Sequence, residues 1–259
     1  MALVNYSSSS ESVESFNDEE ESKYKKAKLN TAKKCKRKLP IPEFMTKSRK
    51  TQEESVIDRP DEHDGRKRTF AHVRGNWASL VYIGVNSEYE DLQETIQDMF
   101  KSINFKYSTE IHISLTKTLV LHHHWITSFS QAVLEFSKTQ PIFEIRFNSL
   151  GIYTNEEKTR TFIGLTVDLT GSTKIKELTN GIDSILEDYR LEKFYSKPLF
   201  HASILWCVGN HKEFLENKSY ELQQLFDKCF EIEPQKFLVV IEKIHIKIGN
   251  KYYNCNLKR

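Results

Sequence analysis

Two short segments of this sequence each carry a histidine and a serine separated by one apolar residue. They contain His112 and Ser114 in the first case and His201 and Ser203 in the second. Because successive side chains of a β-strand point to opposite faces, each segment, as a strand, would present its imidazole and its hydroxyl on the same face. Two such strands side by side would form a pocket that contains two histidines and two hydroxyls.

An imidazole has an ordinary pKa of about 6.5, so it can accept or donate a proton near neutral pH. Cleavage of RNA by its own 2′-hydroxyl needs a base for that hydroxyl and an acid for the departing 5′-oxygen, and each proton transfer contributes roughly 10²- to 10⁴-fold in rate. The hydroxyls of Ser114 and Ser203 would donate to the non-bridging phosphate oxygens, where charge grows in the transition state. The four residues therefore suit phosphodiester cleavage, with either histidine as the base.

Composition limits the class of protein. The chain has 259 residues, of which 38% are hydrophobic, so it is long enough for one large or two small cored units. A formal net charge of +2 gives no overall field that favours nucleic acid. The four cysteines show no close pairing, which predicts neither a zinc site nor a disulfide framework. No signal peptide or long apolar run is found, so we expect an intracellular protein without a membrane span.

Residues 1–65 differ in character from the rest. An acidic run at 18–21 is followed by two basic clusters at 23–28 and 33–38. Because the segment has few apolar residues to bury, we expect it to be disordered. The basic clusters fit a bipartite nuclear import signal, a loose RNA-binding arm or a solvated charged tail. We therefore expect a tail at 1–65 and a folded domain at 66–259.

The folded part reads as two copies of one plan: strand, helix, His-x-Ser strand, helix, strand. In the first copy the predicted elements are, in order, a strand at 77–85, a helix capped by Ser87 and ending near 101, a short strand at 103–107, the His-x-Ser strand at 111–115, a helix at 125–138 and a strand at 142–147. In the second copy they are a strand at 159–168, a helix capped by Ser172 and reaching 189, the His-x-Ser strand at 201–205, a helix at 214–226, a strand at 237–248 and a last strand at 252–257. Equivalent strands of a duplicated unit take equivalent places, so His112 and His201 should meet. We predict an α+β fold with two pseudo-symmetric lobes of antiparallel sheet, flanking helices and an active-site cleft between the lobes.

The paired His-x-Ser strands in duplicated α+β lobes resemble the 2H phosphoesterase superfamily. Within it, the sequence is similar to the U6 small nuclear RNA phosphodiesterases, also called Mpn-type exoribonucleases, over about residues 65–259. The segments that carry the resemblance are 72–77, 112–115, 123–125, 152–165, 201–209 and 249–251. A single His-x-Ser is a weak signal, but the intervening segments in the same order make this resemblance specific.

The resemblance implies a metal-independent 3′-to-5′ exoribonuclease, without a cofactor, that trims the oligouridine tail of U6 RNA and leaves a 2′,3′-cyclic or 3′ phosphate. It implies His112 and His201 as the acid–base pair and Ser114 and Ser203 as phosphate ligands. It also implies a monomeric nuclear protein whose partner is RNA and not a membrane. Residues implied to contact the nucleotide are Tyr195, which would pack against a terminal base, together with Glu156, Lys197 and Phe200.

Glu156 departs from the glutamine that the resemblance leads us to expect. A carboxylate at this position would repel phosphate unless it faced the base or the sugar.

The run of histidines at 122–124 raises the alternative of a metal site. Consecutive residues on a helix point in different directions, so three of them do not readily converge on one ion. We interpret His122, His123 and His124 as capping and packing residues, and His72 as part of a turn.

Two other functions use the same residues. One is a different 2H activity, such as opening of 2′,3′-cyclic phosphates by water, because the same acid–base pair can activate either nucleophile. The other is a module that binds RNA or a nucleotide without turnover. End-group analysis separates the two enzymatic activities, and binding without cleavage would identify the third function.

Overall fold

Ten strands and five α-helices make up the part of the chain that the computed structural model describes, residues 73–86 and 88–258. The strands are β1 Asn76–Gly84, β2 Lys106–Tyr107, β3 His112–Ser114, β4 Leu119–His122, β5 Phe143–Thr154, β6 Arg160–Val167, β7 His201–Val208, β8 Leu238–Ile241, β9 Lys243–Ile248 and β10 Lys251–Asn256. The helices are α1 Glu90–Met99, α2 Ile126–Ser137, α3 Leu169–Asp188, α4 Lys212–Glu216 and α5 Ser219–Ile232, with short 3₁₀ helices at His123–Trp125 and Pro234–Phe237. The predictions for residues 1–65, His72 and Ser87 lie outside the described residues.

The strands pair antiparallel in the order β10-β9-β1-β3-β7-β6-β5-β8. Strand β4 also pairs with β1, beyond the end of β3, and β2 pairs with β7. The two His-x-Ser strands, β3 and β7, are direct neighbours at the centre, where Ile113 is paired with Ala202. The predicted α+β class with antiparallel sheet is therefore confirmed.

The two copies of the plan form two lobes around this central pair. In the first lobe β3 is followed outward by β1 and β9, and in the second lobe β7 is followed by β6 and β5. The predicted pseudo-symmetry is confirmed, but the lobes share one continuous sheet. A strand late in each copy pairs with the first strand of the other: β5 with β6, and β9 with β1.

The predicted single strand at 237–248 is wrong. Phe237 ends a 3₁₀ helix, and the rest divides into β8 and β9, which lie near opposite ends of the strand order and are separated only by Glu242. The sheet must therefore curve until its ends meet, and a bridge between Pro141 and Lys258 joins them as well. An unbroken run of β-forming residues gives no signal that the chain changes partner within it.

The main core lies on the sheet face opposite the histidines. Ile113 and Ala202, the residues between each histidine and its serine, are both 0% exposed. Helix α3 buries one face through Ile175, Leu178, Ile182 and Leu186, a spacing of three to four residues. Within the described residues, no helix combines the length and the apolarity that crossing a membrane requires.

Two helix boundaries differ from the prediction. Helix α3 is capped by Asp168, whose carboxylate accepts a hydrogen bond from the backbone N–H of Gly171 at 2.9 Å, and not by Ser172. The predicted helix at 214–226 is two helices, α4 and α5, separated at Asn217 and Lys218.

Candidate active site

The structure brings His112, Ser114, His201 and Ser203 together in one small pocket, which Phe194, Leu199 and Phe200 also line. The two serines and the two histidines are all partly exposed, while the residues between them are buried. The four side chains predicted to act together therefore share one face of the sheet, because two adjacent antiparallel strands carry them in the same alternation.

Both imidazoles are oriented by the same backbone contact. His112 Nδ1 lies 2.8 Å from the carbonyl oxygen of Glu110, and His201 Nδ1 lies 2.7 Å from that of Leu199. A carbonyl can only accept, so each Nδ1 carries a hydrogen and each Nε2 is left as the atom that exchanges protons. In each copy the acceptor is the residue two positions before the histidine, so the pseudo-symmetry extends to the orientation of the rings.

His201 is covered by the ring of Tyr153. The ring centroids are 3.6 Å apart with an interplanar angle of 7°, and the phenol is hydrogen-bonded to Thr166 Oγ1 at 2.8 Å. Burial is the main cause that lowers the pKa of His201, and the nearby His112 lowers it further, while the Leu199 carbonyl acts in the opposite direction. We therefore expect His201 to be neutral near pH 7.

Sequence reasoning missed the role of Tyr153, although the residue lies in a segment that carries the family resemblance. The ring lies close over Gly151, where an added Cβ would be 2.7 Å from Tyr153 Cζ. At Gly164 an added Cβ would be 3.3 Å from His201 Cδ2. A glycine inside a strand often marks a close approach, and these two glycines were the signal that could have identified the stacked ring.

His112 has a different neighbour, Tyr82 on β1. The two ring centroids are 5.2 Å apart in an edge-to-face arrangement, and Tyr82 also stacks on His245 of β9 at 5.2 Å. His245 Nδ1 lies 2.7 Å from Asn254 Oδ1. Sequence reasoning did not identify these contacts of Tyr82 and His245, because they depend on which strands are neighbours.

Glu110 holds His112 through its backbone and is itself held through its side chain. Its carboxylate accepts from Lys247 Nζ at 3.1 Å and from the Tyr252 hydroxyl at 3.0 Å. The hydrogen bond from Lys247 is the main cause that lowers the pKa of Glu110. The orientation of His112 is therefore connected to strands β9 and β10.

Tyr195 and Glu156 meet in a cluster around Lys117, which sequence reasoning did not single out. Lys117 Nζ lies 3.1 Å from Glu156 Oε1, 3.3 Å from Glu192 Oε2 and 4.9 Å from the centre of the Tyr195 ring. The hydrogen bond from Lys117 is the main cause that lowers the pKa of Glu156, and one with Tyr195 adds to it. Lys117 therefore compensates the negative charge of Glu156, and the carboxylate of Glu156 is also hydrogen-bonded to Tyr195.

The remaining predicted contact residues lie in different environments. Lys197 is exposed. Phe200 is 4% exposed and stacks on Phe194 with 6.0 Å between ring centroids, so it contributes a wall of the pocket and belongs to the core as well.

The histidines at 122–124 lie outside this pocket. The rings of His122 and His124 pack on Trp125 at 4.4 and 5.3 Å between centroids, which confirms the predicted packing role. The predicted capping role is wrong, since no side chain caps the helices that begin at His123 and Ile126. Among the described residues, no group of three or more His, Cys, Asp or Glu side chains could hold a metal ion.

This arrangement can take a proton from one oxygen of a phosphodiester and deliver a proton to another. Two Nε2 atoms and two hydroxyls line one pocket, and the hydroxyls can donate to an anionic phosphate between the rings.

The relatives found by comparison with known proteins agree with one another. A family model described as "HVSL, uncharacterised conserved protein" matches residues 38–256. The chain is 35% identical to a U6 snRNA phosphodiesterase 1 of Drosophila melanogaster over 100% of both chains, and 34% identical to that of Homo sapiens over 86% of this chain and 85% of the other.

Solved structures show more distant similarity. Usb1 of Kluyveromyces marxianus is 11% identical with a TM-score of 0.49, and the match covers 70% of this chain and 98% of that one. The apo form of Escherichia coli LigT is 10% identical with a TM-score of 0.42, covering 71% and 99%. With full-length relatives at 35% identity, the chain belongs to the U6 snRNA phosphodiesterase 1 family.

Proposed function

We propose that this protein is a 3′-to-5′ exoribonuclease that trims the oligouridine tail of U6 snRNA. One observation carries the proposal: β3 and β7 are adjacent, so two histidine–serine pairs face one pocket. The relatives that cover the whole chain are named as U6 snRNA phosphodiesterases, which supports this RNA as the substrate.

In the proposed reaction, Nε2 of one histidine removes the proton of the 2′-hydroxyl next to the cleaved bond. The 2′-oxygen forms a bond to phosphorus, the bond from phosphorus to the 5′-oxygen breaks, and the other histidine donates its proton to that oxygen. Ser114 and Ser203 donate to the non-bridging oxygens during this step. The remaining RNA ends in a 2′,3′-cyclic phosphate, or in a 3′ phosphate if the ring opens. The step requires no metal ion or cofactor.

Recognition of the terminal base is assigned to Tyr195, whose ring is 46% exposed. A base stacked on such a ring gains about 1–3 kcal/mol. Glu156, held between Lys117 and Tyr195, would face the base or ribose. Lys197 and Phe200 belong to the same proposed contact surface, the first as an exposed cation and the second as a wall of the pocket.

The proposal extends to the cellular context. A nuclear substrate fits the bipartite basic clusters in the proposed tail at 1–65, ahead of a two-lobed catalytic domain at 66–259. Because one chain supplies both histidines of the pocket, we propose that the protein acts as a monomer.

The proposal is tested with a uridine-ended RNA in the presence of a metal chelator. We expect shortening by the wild type and a loss of about 10²- to 10⁴-fold in rate for His112→Ala and for His201→Ala, since each removes one proton transfer. His124→Ala, which removes an exposed imidazole outside the pocket, is the matched control and should cleave normally. Full activity in both pocket variants would refute the proposal.

End-group analysis of the products addresses the alternative 2H activity. A cyclic or 3′ phosphate on the shortened RNA is expected. If the protein only opens added 2′,3′-cyclic nucleotides and leaves the RNA at full length, the substrate assignment is wrong even though the acid–base pair is right.

A further inference from the structure

A row of paired residues leads away from the pocket across the first lobe. Ser114 of β3 is paired with Tyr82 of β1, Tyr82 with His245 of β9, and His245 with Asn254 of β10. Directly paired residues of antiparallel strands project to the same face. The row therefore continues the face of the pocket over three strand spacings, about 14 Å, to the edge strand.

Side chains that suit a nucleic-acid strand flank this row. On β9 and β10, Lys247 is paired with Tyr252, and Lys243 with Asn256. The intervening residues of β9 are buried isoleucines, so the polar side chains all project from the other, solvent-facing side. We call this surface the β9–β10 face: Lys243, His245, Lys247, Tyr252, Asn254 and Asn256.

The charge of the β9–β10 face is positive. Lys243 lies close enough to His245 for its ammonium to help lower the pKa of that imidazole, although burial is the larger cause. Lys247 is hydrogen-bonded to Glu110, so one carboxylate offsets one of the two lysines. Tyr252 is 51% exposed and supplies an aromatic ring beside these cations.

In the second lobe, the rows that start at His201 and Ser203 carry no charge, and Arg160 lies farther along β6. There, His201 is paired with Thr166, and Thr166 with Ser149; Ser203 is paired with Gly164, and Gly164 with Gly151. The ring of Tyr153 covers part of this surface. The pseudo-symmetry of the backbone is therefore broken by the chemistry of the side chains.

We propose that the RNA strand preceding the cleaved bond lies on the β9–β10 face, while the 3′-terminal nucleoside lies against the second lobe. This inference rests on the proposed exonuclease function and gives the direction of the RNA. An RNA strand carries one phosphate per nucleotide upstream of the cleaved bond and so requires cations along its path. The terminal nucleoside has no phosphate beyond the cleaved one, so it requires no row of cations along its path.

The residues of this face have separate roles. Lys243 would contact the phosphate of the third nucleotide from the 3′ end, and the ring of Tyr252 would stack on a base. The amides of Asn254 and Asn256 can donate to and accept from base edges. Cations with interleaved aromatic rings are the usual means of holding a single strand without strong sequence preference.

The test compares kcat/KM for di-, tri- and tetrauridylate, so that the gain from adding a nucleotide on the 5′ side is measured. The dinucleotide reaches only the pocket, whereas the longer substrates would reach the β9–β10 face. We expect Tyr252→Leu to reduce this gain by about fivefold or more, the lower limit for loss of one base–aromatic stack. Tyr252→Phe keeps the ring and should keep the gain.

The proposed phosphate contact of Lys243 is tested by measuring how kcat/KM depends on salt concentration in Lys243→Gln. For a single strand, the plot of log(kcat/KM) against log[salt] has a negative slope, and each lost phosphate contact makes that slope less negative by about 0.7. We expect this change for tetrauridylate. Lys228→Gln on α5 is the matched control, because it makes the same charge change on an exposed helix position that lines neither the pocket nor the β9–β10 face.

An unchanged gain and an unchanged salt slope in Lys243→Gln and Tyr252→Leu would refute the proposed path. The same would follow if Arg190→Gln, a change beside a different cavity near Trp125, reduced the gain instead. Cleavage of the dinucleotide by the wild type separates this failure from failure of the proposed function, since it requires the pocket alone.

Discussion

The imidazole of His201 is held between a backbone carbonyl and an aromatic ring, and each contact has its own effect. The Leu199 carbonyl selects the tautomer, and the stacked Tyr153 ring keeps water from the ring. Burial disfavours the charged form, so the pKa of His201 lies below its usual value of 6.5. The stacked tyrosine therefore contributes to the burial that lowers the pKa of His201.

Tyr153→Ala should raise the pKa of His201 toward its ordinary value, because solvent would reach the imidazole. The limb of the pH–rate profile that His201 controls should move to higher pH, and kcat should fall by up to about tenfold, the cost of losing one aromatic contact. Tyr153→Phe keeps the ring and loses only the bond to Thr166, so its profile should stay close to the wild type. A profile unchanged in Tyr153→Ala would contradict this account.

The same change affects acid stability. A histidine whose pKa is lowered in the folded state binds its proton more readily when unfolded, so the folded state loses stability as pH falls from about 6.5 toward the folded pKa. Tyr153→Ala should weaken this dependence, which chemical denaturation at a series of pH values would measure.

At the scale of single elements, helix α3 shows how a boundary is decided by a few atoms. Asp168 accepts from the N–H of Gly171, whereas the hydroxyl of Ser172 donates to the carbonyl of Val167 at 3.3 Å. Both residue types favour helix starts, so the sequence pattern does not distinguish them.

Asp168→Ala should lower the free energy of unfolding by about 1 kcal/mol, the usual effect of removing a capping side chain. Ser172→Ala should lower it by less, because that hydroxyl caps no N–H. Urea denaturation of the two variants checks the assignment. A larger loss in Ser172→Ala would show that the cap is placed wrongly.

Strand patterns predicted which residues share the pocket better than they predicted its surroundings. His112 and Ser114 share a face because a strand alternates with period two, and this requires no knowledge of the neighbouring strand. Stacking of Tyr153 and Tyr82 depends on strand order and on glycines that let a ring lie flat, which the local pattern does not contain. The change of partner at Glu242 was missed for the same reason, since both sides of it look like strand.

At the scale of the whole molecule, strands of each copy of the plan pair with strands of the other copy. Strand β5 of the first copy pairs with β6 and β8 of the second, and β9 of the second copy pairs with β1 of the first. Strand β5 therefore has both of its partners in the other copy, and β9 has β10 in its own copy and β1 in the other. The pocket lies at the seam, with one histidine from each copy.

We expect the segments 1–157 and 158–259, produced separately, not to fold alone, because β5 would lose both of its partners and β9 would lose β1. Produced together, they should associate and restore cleavage of a uridine-ended RNA. Circular dichroism and the nuclease assay measure the two outcomes. A cooperative thermal transition in either isolated segment would contradict the expectation.

The pairing of β1 with β9 also has a consequence for synthesis on the ribosome. The N-terminal strand of the sheet emerges early, but its outer neighbour is among the last segments translated. The histidine of the first copy is oriented through Glu110, whose side chain is held by Lys247 and Tyr252 near the C-terminus. A nascent chain that stops before these residues contains both His112 and His201 but lacks the side chains that hold Glu110, so premature termination late in the message removes a support of the first imidazole.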